Sequence, residues 1–157
     1  MGRLSLFRKA KEVGVVTESY PFRPAEVPEG FRGRPVIDHD KCIGCGTCTR
    51  VCPANAVTMH DEEGYRIVRM FWGRCIFCAR CADSCPEGAI TMTKEFELTA
   101  DDPEELVQEV RLKMAQCPVC GAYFDTERRI KRTIEMMKRR GIKVDEGKMR
   151  RCPKHRR

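Results

Sequence analysis

The chain has no apolar run approaching the roughly 18 residues needed to cross a bilayer, which excludes a membrane-spanning helix. Its opening Met1–Glu12 carries positive residues but no apolar core of leader length. Gly2 lacks the Ser or Thr at position 6 that N-myristoylation would need. Carboxamides are nearly missing: Asn55, Gln108 and Gln116 are the only ones. With 34% charged residues, that scarcity is expected of a thermophilic source. No GxGxxG follows a strand, and there is no phosphate loop or Ser–His–Asp grouping, so dinucleotide, nucleotide and triad chemistry have no residues to carry them. His39 and His60 flank a cysteine-rich stretch but read as surface residues.

Cysteine, by contrast, is abundant, with 11 in 157 residues. The count is odd and the cysteines sit in tight groups, which argues against a disulfide framework and for metal bound by reduced thiols in a cytoplasmic setting. Cys42, Cys45, Cys48 and Cys52 recur 33 residues later as Cys75, Cys78, Cys81 and Cys85. Pro53 recurs as Pro86, and Ala56-Val57-Thr58-Met59 as Ala89-Ile90-Thr91-Met92. Two copies are too few for a solenoid and are expected to form a pseudo-symmetric pair around one core. Each copy reads as ligand loop, short helix and strand, with strands near Val57–Met59 and Ile90–Thr93 and another over Tyr65–Met70.

The run Cys-x2-Cys-x2-Cys-x3-Cys-Pro is that of bacterial two-cluster ferredoxins, in which the fourth cysteine ligates the other cluster. On that rule Cys42, Cys45, Cys48 and Cys85 hold one 4Fe–4S cluster, and Cys75, Cys78, Cys81 and Cys52 hold a second. Gly44 and Gly46 let backbone approach the sulfurs, while Ile43, Ile76 and Phe77 supply apolar cover. Trp72 is expected to shield the second cluster as core packing. A pair of zinc sites is the competing reading, but each run has one cysteine more than a simple knuckle needs. Two such clusters in a small domain, with no open coordination position, imply an electron relay that is not an enzyme by itself.

Before the repeat, Leu4, Phe7 and Val13 mark an amphipathic helix within Leu4–Val13. Tyr20–Pro35, with four prolines and two glycines, reads as an extended docking arm. After the repeat, Asp102-Pro103-Glu104-Glu105 is a helix start, and Leu106, Val110 and Met114 follow at helical spacing. A second helix is expected from Thr126 to Arg140, with Ile130, Ile134 and Met137 on one face and Gly141 as its stop. Cys117-Pro118-Val119-Cys120 and Cys152-Pro153-Lys154-His155 form a CxxC…CxxH pair suited to structural zinc held by Cys117, Cys120, Cys152 and His155. A mononuclear iron site is the alternative. From Arg128 to Arg157 there are fourteen Lys or Arg against Glu135, Asp145 and Glu146. Such a basic tail attracts nucleic acid, anionic lipid or acidic protein. With only Tyr123 and Phe124 as aromatics near one knuckle pair, nucleic acid is not expected as a partner.

Ser19-Tyr20-Pro21, Phe31-Arg32-Gly33-Arg34-Pro35, Cys42-Ile43-Gly44-Cys45, Cys75-Ile76-Phe77-Cys78-Ala79-Arg80-Cys81 and Glu95-Phe96-Glu97-Leu98 resemble the two-cluster ferredoxin subunit of complex I and its hydrogenase relatives. The cysteine-bearing tail is similar to that of the ferredoxin-like subunit of formate hydrogenlyase and related membrane-bound nickel–iron hydrogenases. The resemblance implies a wire from a soluble donor (ferredoxin or a dehydrogenase subunit) to the small subunit beside the nickel–iron large subunit, docked by its N-terminal helix and arm on membrane-embedded subunits; the alternatives are the equivalent subunit of a complex I-like NADH/quinone oxidoreductase and a stand-alone ferredoxin. It would then be peripheral, on the cytoplasmic face. The expected fold is α+β: an N-terminal helix and arm (1–35), a pseudo-symmetric two-cluster ferredoxin domain (36–98), and a helical, basic, zinc-binding C-terminal extension (99–157).

Overall fold

A computed structural model describes residues 3–156; Gly2, Arg157 and the side chain of Leu4, invoked above, lie outside the described residues. The chain divides into two compact units, Met1–Phe31 and Arg32–Arg157. In the first, helix α1 spans Arg3–Val13 and stops at Gly14, whose positive φ of 69° lets its N–H reach the Ala10 carbonyl at 3.1 Å. The expected arm follows without regular secondary structure up to Phe31, apart from turns closed by Arg23 N–H on Ser19 and Phe31 N–H on Pro28. Prolines 21, 24 and 28 remove the donors that a strand or helix there would need. Among the described residues, no helix is long and apolar enough to cross a membrane.

The second unit is organised by the repeat. Strand β1 (Pro35–Ile37) precedes the first cysteine run, α2 (Thr47–Val51) lies inside it and β2 (Val57–Glu62) follows. Strand β3 (Tyr65–Phe71) precedes the second run, α3 (Arg80–Asp83) lies inside it and β4 (Ile90–Met92) follows. Pairing crosses between copies: β1 lies antiparallel to β4, and β2 to β3. The cross-strand pair Ile37–Ile90 has its counterpart in Met70–Val57, since adding 33 to 37 and 57 gives 70 and 90. All four side chains are buried. Asp38 N–H to the Ala89 carbonyl (2.7 Å) repeats as Phe71 N–H to that of Ala56 (2.8 Å). The duplication is therefore conserved down to individual hydrogen bonds.

One expected helix is a strand. Asp102 does cap Glu104 N–H at 2.9 Å, and Pro103 opens a turn, but only a single 3-10 turn (Pro103–Leu106) forms. Residues Val107–Gln116 continue as β5, paired antiparallel with β3. The positions 106, 110 and 114 that suggest a helix also fit a period of two. Val110, Leu112 and Met114 are buried, while Glu109, Arg111 and Lys113 face outward. Burying that alternating face on β3 outweighs a good N-cap. The C-terminal extension thus contributes strands as well as helices. Strand β6 (Tyr123–Thr126) completes a sheet of order β2-β3-β5-β6. Helix α4 (Glu127–Arg139) then buries Ile130 and Ile134, with Met137 partly buried, and gives way to Gly141 at φ 73° as expected. A short α5 (Glu146–Met149) leads to the last knuckle.

The two sheets are tied by Gln108, one of the three amides. Its Oε1 accepts the Ile37 N–H and its Nε2 donates to the Ile37 carbonyl, both at 2.9 Å, so the side chain behaves as a one-residue strand partner for β1. Replacing Gln108 with Ala leaves both groups of Ile37 unpaired. The expected destabilisation is about 2–4 kcal/mol, at roughly 1–2 kcal/mol per orphaned group. A thermal or denaturant melt against the parent chain measures it.

Candidate metal and cluster sites

Two hollows flank the core. Cys42, Cys45 and Cys48 line the first together with Cys85, and Cys75, Cys78 and Cys81 line the second together with Cys52. Their open volumes, about 390 and 380 Å³, are nearly equal, as a duplicated architecture requires. The fourth cysteine of each run thus lies with the first three of the other run. This follows from the strand exchange, because each run ends where its chain crosses to the opposite hairpin.

The local backbone is arranged around sulfur. Cys52 Sγ accepts the Ala56 N–H and Cys85 Sγ accepts the Ala89 N–H, both at 3.2 Å. Phe77 N–H donates to Cys75 Sγ at 3.4 Å. In the first loop Gly44 and Gly46 have φ of 69° and 73°; in the second, Phe77 and Ala79 take the same left-handed turns at 54° and 63°. At Gly44 the loop also lacks space for a side chain, since a Cβ would meet Leu112 Cδ1 at 2.8 Å.

None of the eleven cysteines is paired in a disulfide. Burial, joined by the neighbouring thiols, pushes Cys48 up to about 12. Burial likewise pushes Cys81 up to about 11 and raises Cys42 and Cys75. Clustered thiols in apolar walls ionise only against compensating positive charge, and a bound metal group supplies it. Four soft sulfur donors, amide-to-sulfur hydrogen bonds and apolar lining fit an iron–sulfur cluster in each hollow.

The expected cover is only partly in place. Ile43 lines the first hollow half-buried, and Phe77 lines the second. Ile76 also lines the second but is 62% exposed. Trp72 does not line the second hollow; it is packed into the core, donating to the Pro35 carbonyl at 2.7 Å beneath the Arg34 guanidinium. His39 and His60 are exposed, as expected.

The spacing of the cysteines did not reveal how the C-terminal segment meets the first loop. Thr126 is fully buried; its Oγ1 accepts the Arg129 N–H, capping α4, and donates to the Ile43 carbonyl at 2.6 Å. Arg66, also buried, forks onto Asp61 at 2.7 and 2.9 Å, with Nη1 on Asp125 at 3.2 Å and on the Gly44 carbonyl at 3.4 Å. Arg132 Nε bonds Glu87, a lining residue of the first hollow, at 2.9 Å. In the sequence Arg66 reads as an exposed strand position, and nothing there announces these partners.

The tail brings its own four candidates together. The ligand atoms of Cys117, Cys120, Cys152 and His155 all lie within 4.8 Å of one another. Cys120 Sγ is 3.8 Å from Cys152 Sγ, and His155 Nδ1 is 3.7 Å from Cys117 Sγ and 3.2 Å from Cys152 Sγ. Two sulfurs about 2.3 Å from a tetrahedral centre would sit about 3.8 Å apart, so the spacing fits a four-coordinate metal. The first knuckle is the β5–β6 turn itself, closed by Cys117 N–H on Ala122 (2.9 Å) and Gly121 N–H on Cys117 (2.8 Å). The Cys152 N–H, followed by those of Cys120 and Val119 and the His155 ring, draws Cys117 down to about 5. His155 is raised by Cys152 and then Cys117.

This combination of a duplicated four-cysteine hollow and crossed hairpins defines an iron–sulfur protein, and a 4Fe-4S dicluster domain family model matches residues 41–90. The chain is 38% identical over 141 residues to formate hydrogenlyase subunit 6 of Escherichia coli (strain K12), covering 87% of this chain and 77% of that one. It is 44% identical over 116 residues to the chloroplastic NAD(P)H-quinone oxidoreductase subunit I of Amborella trichopoda, spanning 64% of that relative. A chain in the solved structure of the membrane-bound sulfane sulfur reductase, an archaeal respiratory membrane complex, matches with TM-score 0.50 and 30% identity. That match covers 68% of this chain and 60% of the other. The protein belongs to the family of formate hydrogenlyase subunit 6, the iron–sulfur electron-transfer subunits of oxidoreductase complexes.

Proposed function

We propose that this chain is the electron-relay subunit of a membrane-bound, hydrogen-evolving nickel–iron hydrogenase complex, between a soluble donor and the hydrogenase small subunit. The observation that carries the reading is the extent of the formate hydrogenlyase match. At 87% of the chain it reaches well into the tail, because residues 1–98 make up less than two thirds of the sequence. In this reading Cys42, Cys45, Cys48 and Cys85 hold one 4Fe–4S cluster, and Cys75, Cys78, Cys81 and Cys52 the other. A bound cluster supplies a one-electron couple whose potential depends on hydrogen bonds to sulfur, charge and exposure. The chain's part is to hold the thiolates, donate the Ala56, Phe77 and Ala89 N–H groups to sulfur, and keep water out with Ile37, Val68, Val57 and Met70.

Zinc at Cys117, Cys120, Cys152 and His155 would be structural, with four ligands and no open position. The segment 1–35 would dock on membrane-embedded subunits at the cytoplasmic face, 36–98 would carry the clusters, and 99–157 the zinc. The large subunit would be reached only through the small one. Quinone oxidoreductase relatives support a second reading, the equivalent subunit of a complex I-like machine. Purification of the native complex without oxygen separates the two. Co-purifying nickel with hydrogen evolution is the expected result; co-purifying flavin with NADH oxidation in its place would overturn it. Metal analysis is expected to find about eight iron, about eight sulfide and about one zinc per chain.

A further inference from the structure

The two ligand loops share cysteine spacing and backbone turns, so a contact that only one of them receives from outside the repeat can set its site apart. The C-terminal segment meets the first loop through Thr126 and Arg128, and meets Glu87 at the wall of the first hollow through Arg132. The charge of Arg132 is answered by Glu87, and that of Arg66 by Asp61 and Asp125. Arg128 is different. Its Nη1 donates to the carbonyl of His39 and, at 3.4 Å, to that of Cys42, and among the described residues it makes no ion pair with a carboxylate. A net positive charge is therefore held against the backbone of a candidate ligand. The equivalent carbonyls of the second copy are those of Trp72 and Cys75, and among the described residues no guanidinium reaches them. The Trp72 carbonyl instead accepts the Cys75 N–H at 2.9 Å.

We propose that Arg128 is a positioning residue that raises the reduction potential of the cluster site of Cys42, Cys45, Cys48 and Cys85 and leaves that of the partner site alone. The inference rests on reading the hollows as cluster sites. Reduction adds negative charge to a site, and a fixed cation close by favours the reduced form. By lying along the His39–Cys42 backbone, the guanidinium also holds the entry to the ligand loop, so charge and geometry act at the same point.

The test is a redox titration of the full chain, carrying both clusters and prepared without oxygen, followed by electron paramagnetic resonance. The signal absent from a Cys85→Ala chain identifies the first site. With Arg128→Gln, the reduced-to-oxidised ratio of the first site at a fixed poise is expected to fall about threefold to tenfold, tenfold being about 59 mV for a one-electron couple. The second site should not move. Arg128→Lys, which keeps the charge, should recover most of the ratio. Arg139→Gln removes an equal charge from the far end of α4 and should change neither site. An unmoved first site overturns the proposal, as does an equal shift at both sites or by Arg139→Gln. Loss of iron in Arg128→Gln that Lys does not restore would also overturn it, by making the residue a fold contact. A parent chain that binds no iron or sulfide would overturn the reading of the hollows and this inference together.

Discussion

Replacing Cys85 with Ala is expected to abolish the cluster held by Cys42, Cys45 and Cys48 and to spare the one bound by its own sequence neighbours. Iron should fall from about eight to about four per chain, with the remaining signal that of the site at Cys75, Cys78, Cys81 and Cys52. The reasoning starts in the chain path. Cys85 ends the second run, and its Sγ, hydrogen-bonded by the Ala89 N–H, lines the hollow of Cys42, Cys45 and Cys48. Ala89 leads immediately into β4, which is paired with β1, and Ala89, Ile90 and Ile37 line that same hollow. Removing Sγ takes away one of four donors and leaves the Ala89 amide without its acceptor, while the walls of the second hollow are untouched. Cys52→Ala is the mirror experiment: Cys52 Sγ takes the Ala56 N–H and lines the second hollow. If each substitution instead erased the cluster of its own run, ligation would be local and the exchange wrong. Iron and sulfide counts with resonance spectra of both variants decide it.

Much of this arrangement was legible before any coordinates, because the cysteine runs recur at one offset, the strand signals around Val57 and Ile90 recur with them, and Tyr65–Met70 alternates; the short strand Pro35–Ile37 carried no such signal. The helix from Thr126 was also readable, since its cap, its apolar stripe and Gly141 agree. The strand Val107–Gln116 was not. Asp102 and Pro103 are a sound helix start, and spacing by four is common to both periodicities. The open edge of β3 chose between them, and that edge exists only once the repeat has folded. For the same reason Gln108 and Arg66 gave no warning of their roles. A carboxamide in a strand becomes a bridge to Ile37 only because β1 ends opposite it, and an arginine between apolar neighbours becomes buried only because Asp61 and Asp125 arrive from two other strands. Single-residue meaning here depends on contacts between segments far apart in sequence.

With zinc bound to the tail as proposed, removing it by chelation or by Cys117→Ser is expected to unfold the two knuckles and α5 while leaving both cluster signals in place. Apparent binding free energies of structural zinc reach about 10–16 kcal/mol in small peptides, and that energy is folding energy. In this tail little else substitutes for it, because α5 has no buried residues and Cys152 is held chiefly through the other three candidate ligands. The start of α4 is anchored independently, by Thr126 on Ile43 and by Ile130 and Ile134 in the core, so the loop of the first site should survive. Hydrogen exchange should accordingly lose protection in the Cys117–Gly121 turn and after Gly141, and keep it through β5 and the first turns of α4.

The pH dependence has a definite sign. In the metal-free chain Cys117, depressed from 9.0 to about 5, contributes stability that is full above its ordinary value and lost as pH falls through about 5. His155, raised above its ordinary 6.5, contributes stability that is full below that value and lost as pH rises through its raised one. The thiolate–imidazolium pair therefore supports the stripped tail in mildly acidic solution. Metal binding requires a neutral His155 and deprotonated thiols, so the loaded tail gains as pH rises. The melting-temperature gap between loaded and stripped chains should thus be narrow near pH 5–6 and widen toward pH 8. A gap that narrowed with rising pH would mean that these four residues do not share a metal.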